Sequence, residues 1–421
     1  MKQQKLFERA SRVMPAAGFG NFDPKVIVCE GRGSRVWDED NNEYIDYLIG
    51  SGPMILGHGH PEVVAAVTEQ LGKGMTFFAQ NAHGIELAEE ICRVVPCAEQ
   101  VRYVSTGTEA DMYAMRLARA FTNRDKIMKF EGGYHGMSSE AQMSLAPQNL
   151  VNFPVAVADS AGIPESVSGE MLIAPYNDID FARELLLEHG AQIAAIIVEP
   201  LQRIIPPAPG FLETLREECT KHGIILIFDE VVTGFRVAYG GAQSLYGVTP
   251  DMCTLGKLIG GGLPLAAIAG RADIMSHFDK EKVTDDQFVM QIGTLSGNPL
   301  AAVAGLKTLE VLRRPGQYEK LQRTGEALIE GIRHRLEAAG HEVQIVGHPT
   351  LFDVVFTDKT VRDYRDWLHG TRSKAVDFEA YLKKKRILKG LGKFYISLAL
   401  TDEDISKTLD IVADAANNIR Q

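Results

Sequence analysis

The sequence has little cysteine: five residues among 421, an odd number, scattered without CxxC spacing. Disulfide frameworks and cysteine-ligated zinc sites need cysteines at close, paired spacing. His58 and His60 likewise have no carboxylate or cysteine at ligand spacing. We therefore expect no disulfide framework, no metal and a reducing, cytoplasmic location. The five cysteines are Cys29, Cys92, Cys97, Cys219 and Cys253.

Long apolar runs are also missing. No stretch approaches the roughly 20 consecutive apolar residues that span a bilayer. Residues 1–13 carry charges throughout and have no apolar core of the kind that a secretory signal requires. We therefore expect no membrane partner.

Positive charge is in deficit, with 44 lysines and arginines against 55 aspartates and glutamates, a formal net charge of -11. A chain of this charge is repelled by phosphate backbones. The one short basic run, at 383–386, is typical of a solvated helix end. Nucleic acid is therefore not an expected partner.

Two nucleotide-binding patterns are incomplete. No GxxxxGK[ST] loop is present, and Gly31-Arg32-Gly33 lacks the third glycine of a dinucleotide fingerprint and lies in a hairpin-like region. A nicotinamide-dependent oxidoreductase, which would share an alternating strand–helix pattern, is therefore the weaker interpretation.

From about residue 100, short apolar runs alternate with helical stretches. Strands buried on both faces have this composition, and the alternation predicts a largely parallel sheet with crossover helices. The runs lie at 101–105, 126–130, 193–198, 224–228 and 265–269, and the helical stretches at 109–121, 180–189 and 210–222.

The two ends of the chain have a different pattern. Residues 24–47 alternate as an antiparallel section, and after about residue 298 helices precede short strands and a final helix from about 402. We therefore predict an α/β protein with a large domain at 56–305. A smaller α+β domain would combine residues 1–55 with residues 306–421.

The motif STGTEA, at 105–110, follows a predicted strand and opens a helix. Hydroxyls and free backbone N–H groups at a helix N-terminus form a site for phosphate. A plain strand–turn–helix with a threonine cap is the alternative.

An apolar strand at 224–228 ends in Asp229, which places a carboxylate at the edge of the sheet where α/β proteins bind ligands. A protonated pyridine nitrogen would be a suitable partner for a buried carboxylate. The alternative is an aspartate that caps the next helix.

Lys257 stands among apolar residues and glycines in TLGKLIGGGLP, at 254–264. A desolvated lysine amine can form an imine with an aldehyde. A surface lysine in a loop is the alternative. Two weaker motifs accompany it: Tyr134-His135-Gly136 after a predicted strand, and Thr294 within GTLSGNP at 293–299.

In this combination and order the motifs resemble class III (omega-type) aminotransferases of PLP fold type I, within them the glutamate-1-semialdehyde aminomutase-like branch, from about residue 10 to the end. The resemblance implies a mostly parallel seven-stranded sheet between helices. It also implies pyridoxal 5'-phosphate (PLP) as cofactor, pyridoxamine 5'-phosphate as intermediate, and a homodimer with active sites at the interface.

The resemblance also assigns roles. Lys257 would hold PLP as a Schiff base and catalyse proton transfer, while Asp229 would pair with the pyridine nitrogen. Tyr134 would stack on the ring and Val231 would pack on its other face. The remaining cofactor-binding assignments are Thr106, Gly107 and Thr108 for phosphate, Thr294 for phosphate across the interface, and His135, Glu199 and Gln202 nearby.

Three departures from the family pattern bear on the substrate. The aminomutases carry an arginine near residue 20, where this chain reads GFGNFDP at 18–24, and a glutamate where this chain has Gly392. In many members of the family a glycine follows the residue that matches Gln202, and this chain has Arg203 there. Arg203 could bind a substrate carboxylate, or it could be a surface loop residue. Phe19 and Phe22 are candidates for an apolar amine pocket or for plain core.

These departures favour an intermolecular aminotransferase that acts on small-molecule amines and keto acids. The alternatives are a glutamate-1-semialdehyde-type 2,1-aminomutase and, further off, a PLP racemase or decarboxylase on the same scaffold, because a fold does not fix a reaction. A PLP-binding protein without catalysis also remains, although intact Lys257, Asp229 and Tyr134 argue against it.

Overall fold

The computed structural model describes residues 2–390 and 392–419. The chain forms two compact units. The first comprises Met1–Val64, Gly316–Lys359 and Gly370–Gln421, and the second comprises Ala65–Pro315 and Thr360–His369.

These divisions differ from the boundaries predicted after residues 55 and 305. They also place residues 360–369 in the second unit, where the sequence had indicated a C-terminal domain. The reason lies in two side chains of that segment. Arg365 makes a two-bond ion pair with Glu131, at 2.7 and 3.0 Å, and Tyr364 packs so closely on Gly132 that a Cβ there would come 2.6 Å from its ring.

The strands are short. In chain order they are β1 (Val28–Arg32), β2 (Arg35–Asp38), β3 (Glu43–Asp46), β4 (Gln100–Val104), β5 (Lys126–Phe130), β6 (Met171–Ala174), β7 (Ile193–Val198), β8 (Ile225–Asp229), β9 (Met252–Leu255), β10 (Ala266–Gly270), β11 (Gln344–His348), β12 (Leu351–Val355), β13 (Ile387–Leu388) and β14 (Phe394–Tyr395).

The α-helices are α1 (Lys2–Val13), α2 (Pro61–Leu71), α3 (Ala82–Val94), α4 (Gly107–Thr122), α5 (Glu165–Gly169), α6 (Ile179–His189), α7 (Phe211–His222), α8 (Gly241–Tyr246), α9 (Ala272–Met275), α10 (Pro299–Leu312), α11 (Gln317–Ala338), α12 (Tyr364–Leu368), α13 (Arg372–Lys384) and α14 (Asp402–Asn418). Short 3₁₀ helices lie at Pro15–Ala17, Gly190–Gln192, Lys257–Gly260 and Ser276–Phe278.

The second unit is built on a sheet which, in the described residues, has seven strands in the order β4-β10-β9-β8-β7-β5-β6. Neighbours from β9 to β6 pair in parallel, whereas β10 runs antiparallel to both β4 and β9. Every residue of β7 to β10 is buried, as expected for strands covered on both faces. The predicted α/β fold with its mostly parallel seven-stranded sheet is therefore confirmed.

Two strands of this sheet, β6 and β9, were not among the predicted runs. Each has only four residues, too few to show a period. In addition, β9 reads Met-Cys-Thr-Leu, which is not a continuous apolar run. The omission of β9 matters for function, because β9 leads directly into Lys257.

The first unit contains two smaller sheets, ordered β1-β2-β3-β13 and β11-β12-β14. All of their pairings are antiparallel except that between β13 and β3. Buried hydrogen bonds tie α14 to the N-terminal strands and the segment after them, from Ser34 to Asp404 and between the hydroxyls of Tyr47 and Thr408. Among the described helices, none has both the length and the apolar character that crossing a bilayer demands.

Candidate active site

The N-terminus of α4 has the features of a phosphate site. Thr106 caps the helix by accepting from the Glu109 N–H, and the Glu109 carboxylate accepts from the backbone N–H groups of Ser105 and Thr106, both at 2.9 Å. This capping box uses up the Thr106 hydroxyl and orders the first turn. By helix geometry the N–H groups of Gly107 and Thr108 have no intrahelical acceptor, so they present the positive end of the helix dipole to an anion.

Val231 packs between Gly107 of the STGTEA motif and Gly256, which precedes Lys257. A Cβ on Gly107 would lie 3.0 Å from Val231 Cγ1, and a Cβ on Gly256 would lie 3.1 Å from the same methyl group. Because neither position has room for a larger residue without a shift, both glycines permit this close approach. The predicted packing of Val231 against the cofactor ring stays a prediction.

Asp229 is the last residue of β8 and is 5% exposed. Its Oδ2 lies 2.8 Å from His135 Nδ1, and its Oδ1 accepts from the Val231 N–H at 3.1 Å. A carboxylate can only accept, so the ring hydrogen of His135 is on Nδ1. The carboxylate is thereby held at the carboxyl edge of the sheet.

Strand register brings Lys257 to the same edge of the sheet as Asp229. Asp229 pairs with Thr254 across β8 and β9, and Lys257 follows Thr254 by three residues at the start of the 3₁₀ helix. Its φ of 48° is a left-handed conformation that is uncommon outside glycine. Carboxylate and amine are thus delivered to one edge of the sheet by neighbouring strands.

Tyr134 lies on the loop after β5 and is half-buried. Its N–H donates to Glu199 Oε2 at 2.8 Å, and the Arg203 guanidinium lies 4.8 Å from the centre of its ring. Burial raises the pKa of the Tyr134 hydroxyl, and the charge of Arg203 opposes that rise. The loop is also fixed against α4, since the Met137 N–H donates to Thr108 Oγ1.

Gln202 and Arg203 follow β7, and their side chains contact the same loop after β5. Gln202 donates from Nε2 to the Glu131 carbonyl at 2.9 Å, and its Oε1 is buried with no hydrogen-bond partner in the described structure. Arg203 donates from Nε to the Gly132 carbonyl at 3.0 Å. Its φ of 60° lies in the left-handed region that favours glycine. The side chain of Arg203 is thus held over Tyr134, and its role as a carboxylate clamp stays a prediction.

Three buried polar residues at this edge were missed by the sequence analysis: Asp111, Lys129 and Thr254. Asp111 lies on the buried face of α4 among Ala110, Ala114, Met115 and Ala118. An aspartate within an apolar stripe at helical spacing is the signal that would have found it. Thr254 and Lys129 carried no comparable signal, because their roles depend on strand register and on a loop closure.

Other predicted site residues are not among these contacts. Thr294 lies in an exposed turn, where its carbonyl accepts from Thr76 Oγ1 at 3.4 Å. Phe19 and Phe22 belong to the first unit and line an apolar cavity of about 760 Å³ there, beside α1. Phe19 is 85% exposed, so the plain-core alternative for it is wrong. Their role in substrate binding stays a prediction.

The residues present fit PLP. A helix N-terminus suits its phosphate, and a buried carboxylate suits its ring nitrogen. Gln202 Oε1 and His135 Nε2 are buried without a hydrogen-bond partner among the described residues, which is uncommon in a protein interior. An unpaired amide oxygen is suited to accept from the ring hydroxyl of this cofactor.

Comparisons with known proteins agree with this chemistry. The family model described as aminotransferase class-III matches residues 19–415. The chain is similar to a glutamate-1-semialdehyde 2,1-aminomutase from Desulforamulus reducens, 41% identical over 98% of this chain and 97% of the relative. It is also similar to glutamate-1-semialdehyde 2,1-aminomutase 2 from Brevibacillus brevis, 43% identical over 97% and 96%.

Among solved structures, an omega-transaminase from Sphaerobacter thermophilus superimposes with a TM-score of 0.91. It is 33% identical and the match covers 98% of this chain and 97% of that one. The resemblance inferred from the motifs is therefore confirmed. The chain belongs to the class-III aminotransferase family, and it is a PLP-dependent enzyme.

Proposed function

We propose that this chain moves an amino group between a small-molecule substrate and PLP, with Lys257 as the residue that carries the cofactor. The observation that carries the proposal is the register of β8 and β9, which pairs Asp229 with Thr254 and so brings Lys257 to the same edge of the sheet. The neighbouring N-terminus of α4 supports a phosphate position.

PLP supplies the electron sink for bond breaking next to the substrate nitrogen. The chain's own residues hold and aim it. Asp229 would accept a hydrogen bond from the ring nitrogen, while Gly107 and Thr108 would donate N–H groups to phosphate. Tyr134 would cover one ring face and Val231 the other. The Lys257 amine would attach the cofactor and would also take and return the proton at the substrate carbon.

For the overall reaction, the names of the relatives favour the 2,1-aminomutase over the intermolecular transfer that the sequence analysis preferred. Two similar proteins, at 41% and 43% identity, are named as glutamate-1-semialdehyde aminomutases. We therefore propose this intramolecular transfer as the first reaction to test.

The intermolecular aminotransferase is the second candidate. It is supported by the omega-transaminase similarity, by Gly392 where the aminomutases have glutamate, and by the lack of arginine at 18–24. A site without those groups has less to hold the substrate of a mutase. In this case Arg203 would bind the carboxylate of the keto acid.

We also propose a homodimer. Four apolar residues of the second unit are at least half exposed: Phe77 (50%), Phe78 (70%), Met290 (62%) and Ile292 (71%). The Thr76–Thr294 hydrogen bond joins the two segments that carry them. Exposed apolar patches of this kind mark association surfaces. Thr294, in the same patch, would reach the partner's phosphate site.

The five free cysteines support a cytoplasmic location.

The test begins with cofactor attachment. Wild-type protein loaded with PLP, reduced with borohydride and then denatured should retain the cofactor absorbance, because reduction fixes the lysine–cofactor bond. Lys257→Ala should lose it, whereas Lys126→Ala, a lysine on the partly exposed start of β5, should retain it. Cofactor retained by denatured Lys257→Ala would refute the assignment.

The two reactions are then separated by products. Enzyme in the aminated cofactor form is mixed with glutamate-1-semialdehyde and no keto acid. Many turnovers to its amino-group isomer indicate the mutase. Turnover that requires both an amine donor and pyruvate, with one keto product for each donor consumed, indicates the intermolecular aminotransferase. Neither activity with any tested amine would refute both.

A further inference from the structure

A second acidic side chain lies beside Asp229. Asp111, on α4, is 2% exposed. A carboxylate oxygen of Asp111, a ring nitrogen of His135 and a carboxylate oxygen of Asp229 all lie within 4.8 Å of one another. The motif comparison gave Asp111 no role, although it lies within the same buried cluster as the carboxylate assigned to the ring nitrogen.

Thr254 connects the two carboxyl groups. Its Oγ1 lies 2.6 Å from Asp111 Oδ1 and 3.4 Å from Asp229 Oδ1. A hydroxyl has one hydrogen and two acceptor lone pairs. If Asp111 were ionised, that hydrogen would point to Asp111 and leave Asp229 facing lone pairs. If Asp111 carries a proton, Asp111 donates to Thr254 and Thr254 donates to Asp229, so every member of the chain is satisfied.

Electrostatics favours the second arrangement. Burial raises the pKa of Asp111 well above its ordinary value, and the charge of Asp229 raises it further. The hydrogen bond from Thr254 and the charge of Lys257 act in the opposite direction, while Glu199 adds to the rise. Two carboxylates in one water-poor site do not both ionise readily, and one of them keeps its proton.

We propose that Asp111 is an un-ionised carboxylic acid at neutral pH and that, through Thr254, it positions Asp229 as the single negative charge toward the cofactor nitrogen. The role of Asp229 in this inference rests on the proposed function, whereas the protonation of Asp111 does not. Among the described residues, His135 and Tyr134, on the loop after β5, also face Asp111, in addition to Asp229, Lys257 and Glu199.

The direct test is infrared spectroscopy of the cofactor-free protein at pH 7. The spectrum of Asp111→Asn, subtracted from that of the wild type, should show loss of the carbonyl band of an un-ionised carboxylic acid. The control is Asp251→Asn, since Asp251 is buried between Arg216 and Arg271 and should instead lose the bands of an ionised carboxylate. Loss of ionised-carboxylate bands from Asp111→Asn would overturn the proposal.

Unfolding gives a second measurement without cofactor. An acid whose folded pKa is raised keeps a proton that the unfolded chain releases, so wild-type stability falls as pH rises above the unfolded value of about 4. Relative to Asp111→Asn, the wild-type unfolding equilibrium constant should therefore rise between pH 5 and 7, by at most about tenfold per pH unit. A pH-independent difference would overturn the proposal.

The positioning role is tested with cofactor. Asn resembles a protonated Asp in shape and charge, whereas Ala removes the hydrogen bond to Thr254. Asp111→Asn should therefore bind PLP more tightly than Asp111→Ala, by on the order of tenfold. Equal losses in both would overturn the positioning role. A wild-type protein that binds no PLP would refute the proposed function, while the infrared result would still decide the protonation of Asp111.

If Asp111→Asn does not fold, wild-type protein labelled with carboxyl-¹³C aspartate replaces it. An un-ionised carbonyl band that shifts with the label at pH 7 supports the proposal, and its absence overturns it.

Discussion

Arg203 combines a left-handed backbone with a side chain that is held in place at two points. Its backbone is in the left-handed region, at φ 60°, which costs a residue other than glycine about 1 kcal/mol or more. Its guanidinium is nonetheless held over Tyr134 and anchored through Nε on Gly132. The positive charge of Arg203 is thus fixed over the ring of Tyr134, next to Gln202 in the chain.

We predict that Arg203→Ala raises the KM of a keto-acid acceptor about tenfold or more, because a charge-assisted pair with a carboxylate is lost. The half-reaction with an amine that has no carboxylate should change far less. Steady-state kinetics with the acid and single-turnover absorbance with the amine measure the two effects. Arg183→Ala, at a partly exposed arginine of α6, is the control, and an unchanged acceptor KM would contradict the prediction.

At the scale of elements, the loop that carries Tyr134 is fixed by a buried lysine. Lys129, on β5, is fully buried and donates to the carbonyls of Gly133, Ala141 and Met143, at 3.1, 2.9 and 2.8 Å. The ammonium group of Lys129 therefore holds both ends of the loop, at residue 133 and at residues 141–143, against β5. Burial lowers the pKa of Lys129 to about 7.

We predict that Lys129→Met destabilises the cofactor-free protein by about 3 kcal/mol, because buried carbonyls lose their donors. It should also weaken PLP binding through the Tyr134 loop. Denaturant unfolding and cofactor titration measure these effects. Lys126→Met is the matched control, since Lys126 lies on the same strand but makes an exposed bond to Gly169. Equal losses in the two variants would show that the loop closure contributes nothing.

The same lysine predicts a pH dependence. Above about pH 7 the folded protein loses the Lys129 proton, whereas the unfolded chain keeps it to about pH 10.4. The unfolded state then binds more protons, so this contribution to stability increases with pH. The stability deficit of Lys129→Met relative to wild type should therefore grow from pH 7 to pH 9. A constant deficit in unfolding experiments over that range would contradict the lowered pKa.

For the whole molecule, the exposed apolar patch predicts assembly. Phe78→Asp or Ile292→Asp should convert the proposed dimer to a monomer, because a charge in an apolar interface is left without a partner. Light scattering after size-exclusion chromatography measures the mass. Leu187→Asp, at an isolated side chain of α6 that is 74% exposed, is the control. A dimer that survives both patch substitutions would place the interface elsewhere.

Thr294 connects assembly to cofactor binding. If its hydroxyl reaches phosphate across the interface, Thr294→Ala should weaken PLP retention on dialysis by roughly fivefold, as expected for the loss of one hydrogen bond. Its dimer should remain intact. Retention equal to that of wild type would rule out the cross-interface contact.

Much of the fold and part of the site were predictable from sequence. Apolar runs that alternate with helices determine a parallel sheet, because strands buried on both faces and helices buried on one have different periods. The motifs around Thr106, Asp229 and Lys257 each stand at the end of a strand, which places them at one edge. The strand β9 escaped detection because four residues are too few to show a period.

What the sequence determined, then, is the set of local segments and the kind of chemistry they carry, since both depend on residues close together in the chain. Only the tertiary structure decided which side chains share a volume. The pairing of Asp229 with Thr254 follows from strand register, the approach of Asp111 from the packing of α4 on the sheet, and the clamp of Lys129 from a loop closed over fourteen residues. Contacts of this kind join residues that are distant along the chain, and no local pattern encodes them.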